Sequence, residues 1–412
     1  MTTAPASTGI GAPGTDQAPA DLSRSPMAAQ ASAPAMIPFT RGSALATMQD
    51  ASGTITAGTP VQVTLQTNSF LESLLLDITG TTTGTTATVA YYADGPFSLI
   101  SSITLNDPAN QAIITPITGY QLYVLNKYLP DTDCFFDPTR DPNYLASTGT
   151  GGSASNGGSF SFRLVIPVEV RRRDAYGALL NSAANTRYLL TITPIASFTS
   201  TTGPAAIYST APTNAPAVTY AITQQYWTSP PSVITTTQGS VQVQITPPGL
   251  GSVGFVRFES HVEVSGGGSP QVQLNNVGDY IELVIFTLRN NSTPQARDQT
   301  DWPSPFQFWI NDFQTQNMSL NFWQRQLARG YGYYSGVTLG PTAGALDRGV
   351  FPLFQQIAVF DKVDNFMPPS QWLATDATTK LQIRGSSFGS TAGTLEVLTR
   401  NVRPNNGTAL FS

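Results

Sequence analysis

The sequence predicts an all-β protein made of two tandem modules of the sandwich, barrel or jelly-roll kind. Three observations carry this. Short runs of alternating apolar and polar residues are separated by clusters of Gly, Pro, Ser and Thr. One stretch of the chain recurs 210 residues further on. Charged residues are only 11% of 412, against about 25% in an ordinary soluble domain. Neutral Thr, Ser, Gly, Pro and Ala fill the difference, as on β-sheets with uncharged outer faces or surfaces covered by other subunits.

The recurrence sets the organisation. Pro60, Phe70 and Glu72 meet Pro270, Tyr280 and Glu282 at a single offset of 210. Both copies then enter a polar loop, leave it through Pro96-Phe97 or Pro305-Phe306, and reach a strand ending in Asn106-Asp107 or Asn311-Asp312. Val61, Val63 and Leu65 alternate one residue out of phase with Val272 and Leu274, so this part of the match requires a one-residue slip.

Residues 1–50 read as an N-terminal arm. Up to about residue 40 they are Ala, Pro, Ser, Thr and Gly with almost no large apolar side chains, too few to offset ordering entropy without a partner. Residues 51–230 form the first module. Val61 to Leu65 is a half-buried strand, and Phe70 to Ile78, more uniformly apolar, a strand buried on both faces. Ala87 to Tyr92 and Phe97 to Leu105 follow as strands. Thr115-Pro116 is expected to cap a short helix carrying Ile117, Val124, Leu125 and Tyr128 and stopped before Pro130. Further strands are Phe160 to Ile166, Tyr188 to Ile192 and Val218 to Ile222. Long loops lie at Asp131 to Ser159 and Thr199 to Pro216, longer than compact connections need.

Ser229-Pro230-Pro231 marks the boundary, and residues 231–400 form the second module. The strand at Val241, Val243 and Ile245 suits the end of one module or the start of the other. Phe255 to Val264 alternates, with His261 on its polar face between Glu259 and Glu263. Leu320, Trp323 and Leu327 have helical spacing, and Phe351 to Phe360, Lys380 to Ile383 and Leu395 to Leu398 are the last strands. Residues 401–412 are a polar tail until Leu410-Phe411.

The net charge of −5 gives no global field for nucleic acid. The basic run Arg171-Arg172-Arg173 is followed by Asp174 and reads as a turn or subunit contact. Cys134 is the single cysteine and His261 the single histidine. An intrachain disulfide, a thiolate cluster, a zinc site of the usual kind and a locally spelled Ser-His-Asp triad are therefore not expected. No phosphate-binding glycine motif, secretory signal or apolar run of ~18 residues is visible.

Two candidate constellations remain. Asp131, Asp133, Asp137 and Asp141 lie in one loop, and calcium takes carboxylate and carbonyl oxygens from loops. The spacing is not that of an EF-hand, and the expectation is a plain acidic loop with calcium as the lesser alternative. Glu72, Glu169, Glu259 and Glu282 would serve glycoside hydrolysis if the fold brought them together. Glu72 and Glu282 hold the same place in the two copies, which speaks for structure. Asn291-Ser-Thr and Asn406-Gly-Thr match the glycosylation sequon.

The twice-used strand at Phe70-Leu-Glu72 and Tyr280-Ile-Glu282, the Pro-Phe to Asn-Asp segments and the Gly177 to Ile192 crossing resemble the double jelly-roll major capsid proteins of tectivirus-like, membrane-containing icosahedral viruses. The resemblance spans about residues 50–400 and is architectural. It implies two tandem eight-stranded jelly rolls with short helices in the loops and an extended N-terminal arm. It also implies a non-enzymatic major coat subunit, a homotrimer of six rolls tiling an icosahedral virion, and long loops forming towers. Neighbouring capsomers, penton or minor capsid proteins and an internal membrane under the terminal arms would be its partners, without cofactor or specific nucleic acid. Assembly in the host cytoplasm of a bacterium goes with this.

Two other readings stand beside it. A virion spike or cell-surface adhesin would bind glycans through loop aromatics such as Tyr91, Tyr92, Trp302 and Tyr331 to Tyr334. A jelly-roll carbohydrate-active enzyme would use the glutamates.

Overall fold

Alternating side chains settle into strands wherever one face can be buried, and backbone pairing then recruits more polar segments. The computed structural model describes residues 35–404 except 84–87, 93, 129–136, 150–156, 171–174, 183–186, 204–205, 231–232, 237–238, 247–251, 263–271, 275–278, 291–304, 320–321, 323–349, 354–372, 376–377 and 386–392.

The chain begins with β1 (Ala35–Pro38) and a single helical turn, α1 (Phe39–Gly42). The first half continues through β2 (Leu45–Ile55), β3 (Val61–Thr64), β4 (Phe70–Thr81), β5 (Ala90–Tyr91), β6 (Ile100–Asn106) and β7 (Ala112–Ile117). Then come α2 (Gly119–Tyr128), β8 (Leu145–Ala146), β9 (Phe160–Pro167), β10 (Leu179–Leu180), β11 (Leu189–Pro194), β12 (Tyr208–Thr210) and β13 (Ala217–Trp227). A hairpin of β14 (Val233–Thr236) and β15 (Gly239–Thr246) links the halves. The second half has β16 (Ser252–Val262), β17 (Val272–Leu274), β18 (Tyr280–Asn290), β19 (Phe306–Ile310) and β20 (Phe313–Met318). It ends with β21 (Val350–Leu353), β22 (Leu373–Ala374), β23 (Leu381–Gly385) and β24 (Gly393–Pro404).

Each half is a jelly roll, and the two share one strand order. In the first, β2-β13-β4-β9 faces β3-β11-β6-β7; in the second, β16-β24-β18-β21 faces β17-β23-β19-β20. Counted within its own half, each pair of faces reads 1-8-3-6 and 2-7-4-5. The short strands β5, β8, β10, β12 and β22 are additions to this plan.

The one-residue slip expected between the copies is real. Val61 and Val63 lie opposite Ile192 and Leu190, and Val272 and Leu274 lie opposite Ile383 and Leu381. The third strands keep the offset of 210, because Phe70 pairs with Trp227 and Tyr280 with Val402. The slip is absorbed between the second and third strands.

The first core is built on β4, where Leu71, Leu74, Leu76 and Ile78 are buried. Each such side chain contributes about 1.5–3 kcal/mol over leaving it exposed. Gly80 sits opposite Phe160, whose ring lies across it; a Cβ at Gly80 would come within 2.3 Å of that ring. The second core gathers Val284, Phe286, Leu288, Phe306, Phe308, Leu381, Ile383, Leu395 and Val397.

The expected helix forms, but its cap is Thr118, since Thr115 to Ile117 continue β7. Thr118 Oγ1 accepts from the Gln121 amide at 3.1 Å and the Gln121 side chain accepts from the Thr118 amide at 2.8 Å, a reciprocal capping box.

The expected boundaries at 50 and 400 fall inside β2 and β24. β2 pairs with β13 along its whole length, so polar residues such as Thr47 and Gln49 are ordered by backbone bonds without apolar payload. Residues 35–38 pair in parallel with β15 of the same chain. Phe39 is buried with its ring 5.0 Å from that of Phe70 and 6.3 Å from that of Trp227. From residue 35 onward the expected arm is therefore held by its own chain. β14 and β15 belong to neither roll and form a three-stranded sheet with β1.

In the first roll the connections between strands gather at two ends. At the upper end, Gly58 bonds Ile195, Ile195 bonds Leu99, Tyr92 bonds Ile207 and Val89 bonds Thr148, all through the backbone at 2.8–3.0 Å. Tyr91 and Tyr208 pack tilted with ring centroids 4.9 Å apart and donate to the carbonyls of Ser159 and Gly158, and burial pushes both phenols up. Gly158 has φ +92, and a Cβ there would also press on Pro212 at 2.8 Å. The lower end holds Phe39, Phe70, Ala175, Ala178 and Trp227.

β7 and β16 meet in parallel at Ile114 and Val256, joining one face of each roll into a continuous nine-stranded sheet. These are the fifth and first strands of their rolls, and both run away from the lower end. The two rolls consequently point the same way.

Candidate functional site

The seam between the rolls is the most elaborate polar site among the described residues, and two of the candidate glutamates, Glu169 and Glu282, lie at it. In β4, Leu71 pairs with Tyr226 and Ser73 with Gln225, leaving Glu72 on a bulge. In β18, Ile281 pairs with Asn401 and Leu283 with Arg400, leaving Glu282 on the same bulge. A bulge re-aims a side chain and bends its strand, so the repeat preserved a geometric device along with a residue type.

Around these bulges runs a line of buried polar groups. The Glu72 carboxylate accepts from Ser73 Oγ at 2.6 Å, and its carbonyl accepts from the amides of Val168 and Glu169 at 3.2 and 2.8 Å. Glu169 Oε2 accepts from the Trp227 indole at 2.7 Å. Arg400, on β24 of the second roll, donates to the Glu169 carbonyl of the first. Its Nε lies 3.3 Å from Glu282 Oε2. The latter contact is an ion pair without aligned hydrogen-bond geometry. Glu72, Glu169, Glu282 and Arg400 are all buried, Arg400 to 2% exposure. Gln121, on α2, donates to Glu396 of β24 at 3.2 Å and adds a second polar tie.

Apolar packing closes the seam. Leu283, Ile285 and Leu398, on the face of the second roll turned away from its own core, join the core of the first roll. Val170 and Tyr176 of the first roll pack with Tyr280 and Val402 of the second. Ile281 to Leu288 is buried throughout because that strand has a roll on each side. The uniform apolar run expected of a doubly covered strand is thus realised in the second copy. In the first copy, Leu75, Asp77 and Thr79 on the outer face remain partly or fully exposed.

Three of the four candidate glutamates are thus linked in a chain: Glu282 reaches the Glu169 carbonyl through Arg400, and the Glu169 amide reaches the Glu72 carbonyl. The three carboxylates are buried with different side-chain partners, Ser73 for Glu72, Trp227 for Glu169 and Arg400 for Glu282, which makes the place a clasp and not a cleft. Glu259 and His261 are placed by their backbones opposite Val397 and Leu395; their side chains fall outside the described residues.

Of the calcium candidates, Asp131 and Asp133 lie outside the described residues, as do Cys134, Arg171 to Arg173, Trp302, Tyr331 to Tyr334, both sequon asparagines and most of the Leu320 to Leu327 helix. Asp137 is buried, accepts from the Thr139 amide and hydroxyl at 3.0 and 2.6 Å, and lies 3.6 Å from Lys127 Nζ. Asp141 accepts from the Asn143 amide at 2.8 Å. Both act as turn caps, and among the described residues no group of three metal-ligating side chains converges. Tyr92 donates to the Thr201 carbonyl at 2.8 Å. A surface hollow of about 440 Å³ lies among Thr67, Asn68, Ser69, Ser182, Tyr226 and Thr228, with no charged side chain on its walls.

Arg400 was not singled out in the sequence. Its signal was weak: an arginine among Leu395, Val397, Leu398 and Val402, but with Glu396 and Arg403 close by in the same run.

No protein-family model and no curated protein matches the sequence. The fold, however, has close counterparts. The crystal structure of the STIV MCP superposes with a TM-score of 0.56 at 14% identity, covering 90% of this chain and 99% of that one. The atomic structure of Sulfolobus turreted icosahedral virus gives 0.55 at 13%, covering 87% and 90%. The PBCV-1 virus capsid gives 0.54 at 10%, covering 87% and 93%. The chain thus has the double jelly-roll fold over nearly the whole length of these coat proteins.

Proposed function

We propose that this chain is the major capsid protein of an icosahedral virus, a structural subunit assembling as a homotrimer of six rolls. The observation that carries the reading is the co-directional pair of rolls with one strand order, a fold shared with the solved coats of two viruses. The buried clasp at Arg400 supports it, because a tile must hold its two rolls in one fixed relation. Low charge on long β faces suits surfaces that other copies cover.

The finer parts of the proposal follow. Trimers form pseudo-hexagonal capsomers, meeting neighbouring capsomers and penton or minor capsid proteins. The upper-end loops form the outer relief. Both ends of the described chain, near residues 35 and 404, leave from the lower end, where the terminal arms would meet an internal membrane. The virion infects a bacterium, assembles in the host cytoplasm, and its coat binds no specific nucleic-acid sequence and needs no cofactor.

The test is the mass and shape of the purified full chain. Mass photometry is expected to find a species of three times 43.8 kDa, and negative-stain microscopy pseudo-hexagonal tiles or closed shells in which this chain is the most abundant protein. A stable monomer that cleaves a glycan panel, or a protein present in a few copies per particle, overturns the reading.

A further inference from the structure

The duplication assigns a second seam that a single chain cannot make. Inside the chain, Ile114 of β7 pairs with Val256 of β16. Each of these residues has a counterpart in the other roll, located by register alone.

Ile114 pairs with Leu105, which pairs with Leu190 and precedes Asn106-Asp107. Phe313 pairs with Ile310, which pairs with Leu381 and precedes Asn311-Asp312. Phe313 is therefore the Ile114 of the second roll. Val256 pairs with Arg400, which pairs with Leu283, the residue after the bulged Glu282. Thr47 pairs with Gln225, which pairs with Ser73, the residue after the bulged Glu72. Thr47 is therefore the Val256 of the first roll.

The two counterparts differ sharply from their originals. Ile114 is fully buried, whereas Phe313 is 79% exposed, the most exposed large apolar side chain among the described residues. Thr47 is exposed as well. β20 ends its sheet and β2 ends its own, and the two strands belong to different sheets and do not pair within the chain. Open strand edges are templates for further pairing.

We propose that Phe313 on the β20 edge of one copy docks at Thr47 on the β2 edge of the next, repeating the Ile114–Val256 joint between chains. This rests on the coat reading and names the surfaces that meet within its trimer. The joint is head-to-tail, and such a contact closes into a ring when its rotation allows. In a trimer, three joints inside chains alternate with three between them.

The outer face beside β2 fits this role. Where the second roll presents Leu283, Ile285 and Leu398 to its neighbour, the first has Ser73, Leu75 and Thr223 at the same register positions, with Ser73 buried and Leu75 and Thr223 half-buried. A joint formed after folding has to tolerate water beforehand, and its surface is accordingly the more polar of the two.

Disulfide trapping in the full-length chain tests the pairing. Neighbouring strands stand about 4.8 Å apart, within the Cα separation a disulfide accepts. In a Cys134→Ser background, Thr47→Cys and Phe313→Cys are made singly and together, and oxidised mildly. The double variant is expected to yield covalent oligomers up to a closed trimer on non-reducing gels. A mixture of the two single variants is expected to give linked dimers, while neither single variant crosslinks alone. Separately, Phe313→Asp is expected to shift mass photometry from trimer to monomer with an unchanged far-UV circular dichroism spectrum, and Thr202→Asp, on an upper-end loop, to leave the trimer intact.

Three results overturn the proposal. Phe313→Cys crosslinking to itself would mean like surfaces meet. Intact trimers or particles in which the 47–313 pair stays reduced would sink this pairing while leaving the coat reading standing. A chain that never assembles would sink both.

Discussion

Replacing Arg400 by Met removes the cation from a seam that both rolls close to water. Arg400 is 2% exposed, and its Nε lies 3.3 Å from a Glu282 carboxylate that is itself buried. The substitution strands that carboxylate without its counter-ion and takes a donor from the Glu169 carbonyl. Removing one partner of a buried pair costs about 3–5 kcal/mol, because the remaining charge keeps its desolvation penalty. Removing both in favour of apolar side chains is often neutral. Arg400→Met with Glu282→Leu is therefore expected to recover most of the loss, with a coupling of about 2 kcal/mol or more in the double-mutant cycle. Urea unfolding of the full chain, followed by tryptophan fluorescence and circular dichroism, measures all four corners. Trp227 reports on the seam directly, since its indole donates to Glu169. A loss below about 1 kcal/mol for Arg400→Met, or a double variant no better than the single, would refute the claim that this ion pair holds the rolls together.

Two further outcomes follow from single sites. Burial holds the Asp50 carboxyl above its ordinary value, outweighing the amide bond from Gln66. A carboxyl raised in the folded state favours folding while protonated, and that contribution is lost as pH rises through the folded value. Asp50→Asn keeps an oxygen for the Gln66 amide and is expected to raise the unfolding midpoint near about pH 7 but not near about pH 3; equal effects at both would contradict the cause assigned. Gly80→Ala is expected to destabilise by about 1–3 kcal/mol, because its Cβ would strike the Phe160 ring at 2.3 Å. Phe160→Leu in the same chain should relieve part of that loss, and calorimetry showing no rescue would mean the ring is not the obstacle.

The duplication was legible because the third strands preserve Phe70 and Glu72 as Tyr280 and Glu282 at a constant spacing, and the structure places these pairs in identical registers. The out-of-phase valines were legible as a slip, though only the pairing of Val63 with Leu190 and Leu274 with Leu381 locates it. Other features hid for physical reasons. β2 contains Thr47, Gln49 and Gly53 and takes its order from backbone bonds to β13, which side-chain patterns do not display. Phe39 follows a stretch of small residues that carries no strand or helix pattern, yet its ring packs against those of Phe70 and Trp227. Pro116 suggested a helix start, whereas it ends a strand and the reciprocal Thr118–Gln121 bonds begin the helix. The glutamates drew notice as possible catalysts. The partner of Glu282, Arg400, sits on the last strand, and only the meeting of two rolls brings it to the Glu169 carbonyl.

The parallel contact of Ile114 with Val256 gives the molecule a front and a back. Had the strands run in opposite senses, one roll would stand on its head and each surface would mix loop crests with chain ends. As built, anything grafted into the turns around Tyr91 and Tyr208 emerges on one side, and anything grafted beside the Phe39–Trp227 cluster or at Pro404 emerges on the other. A sheet of such plates inherits that polarity without further instruction, so a reporter peptide placed at each location should be reachable by antibody from opposite sides of an assembled layer.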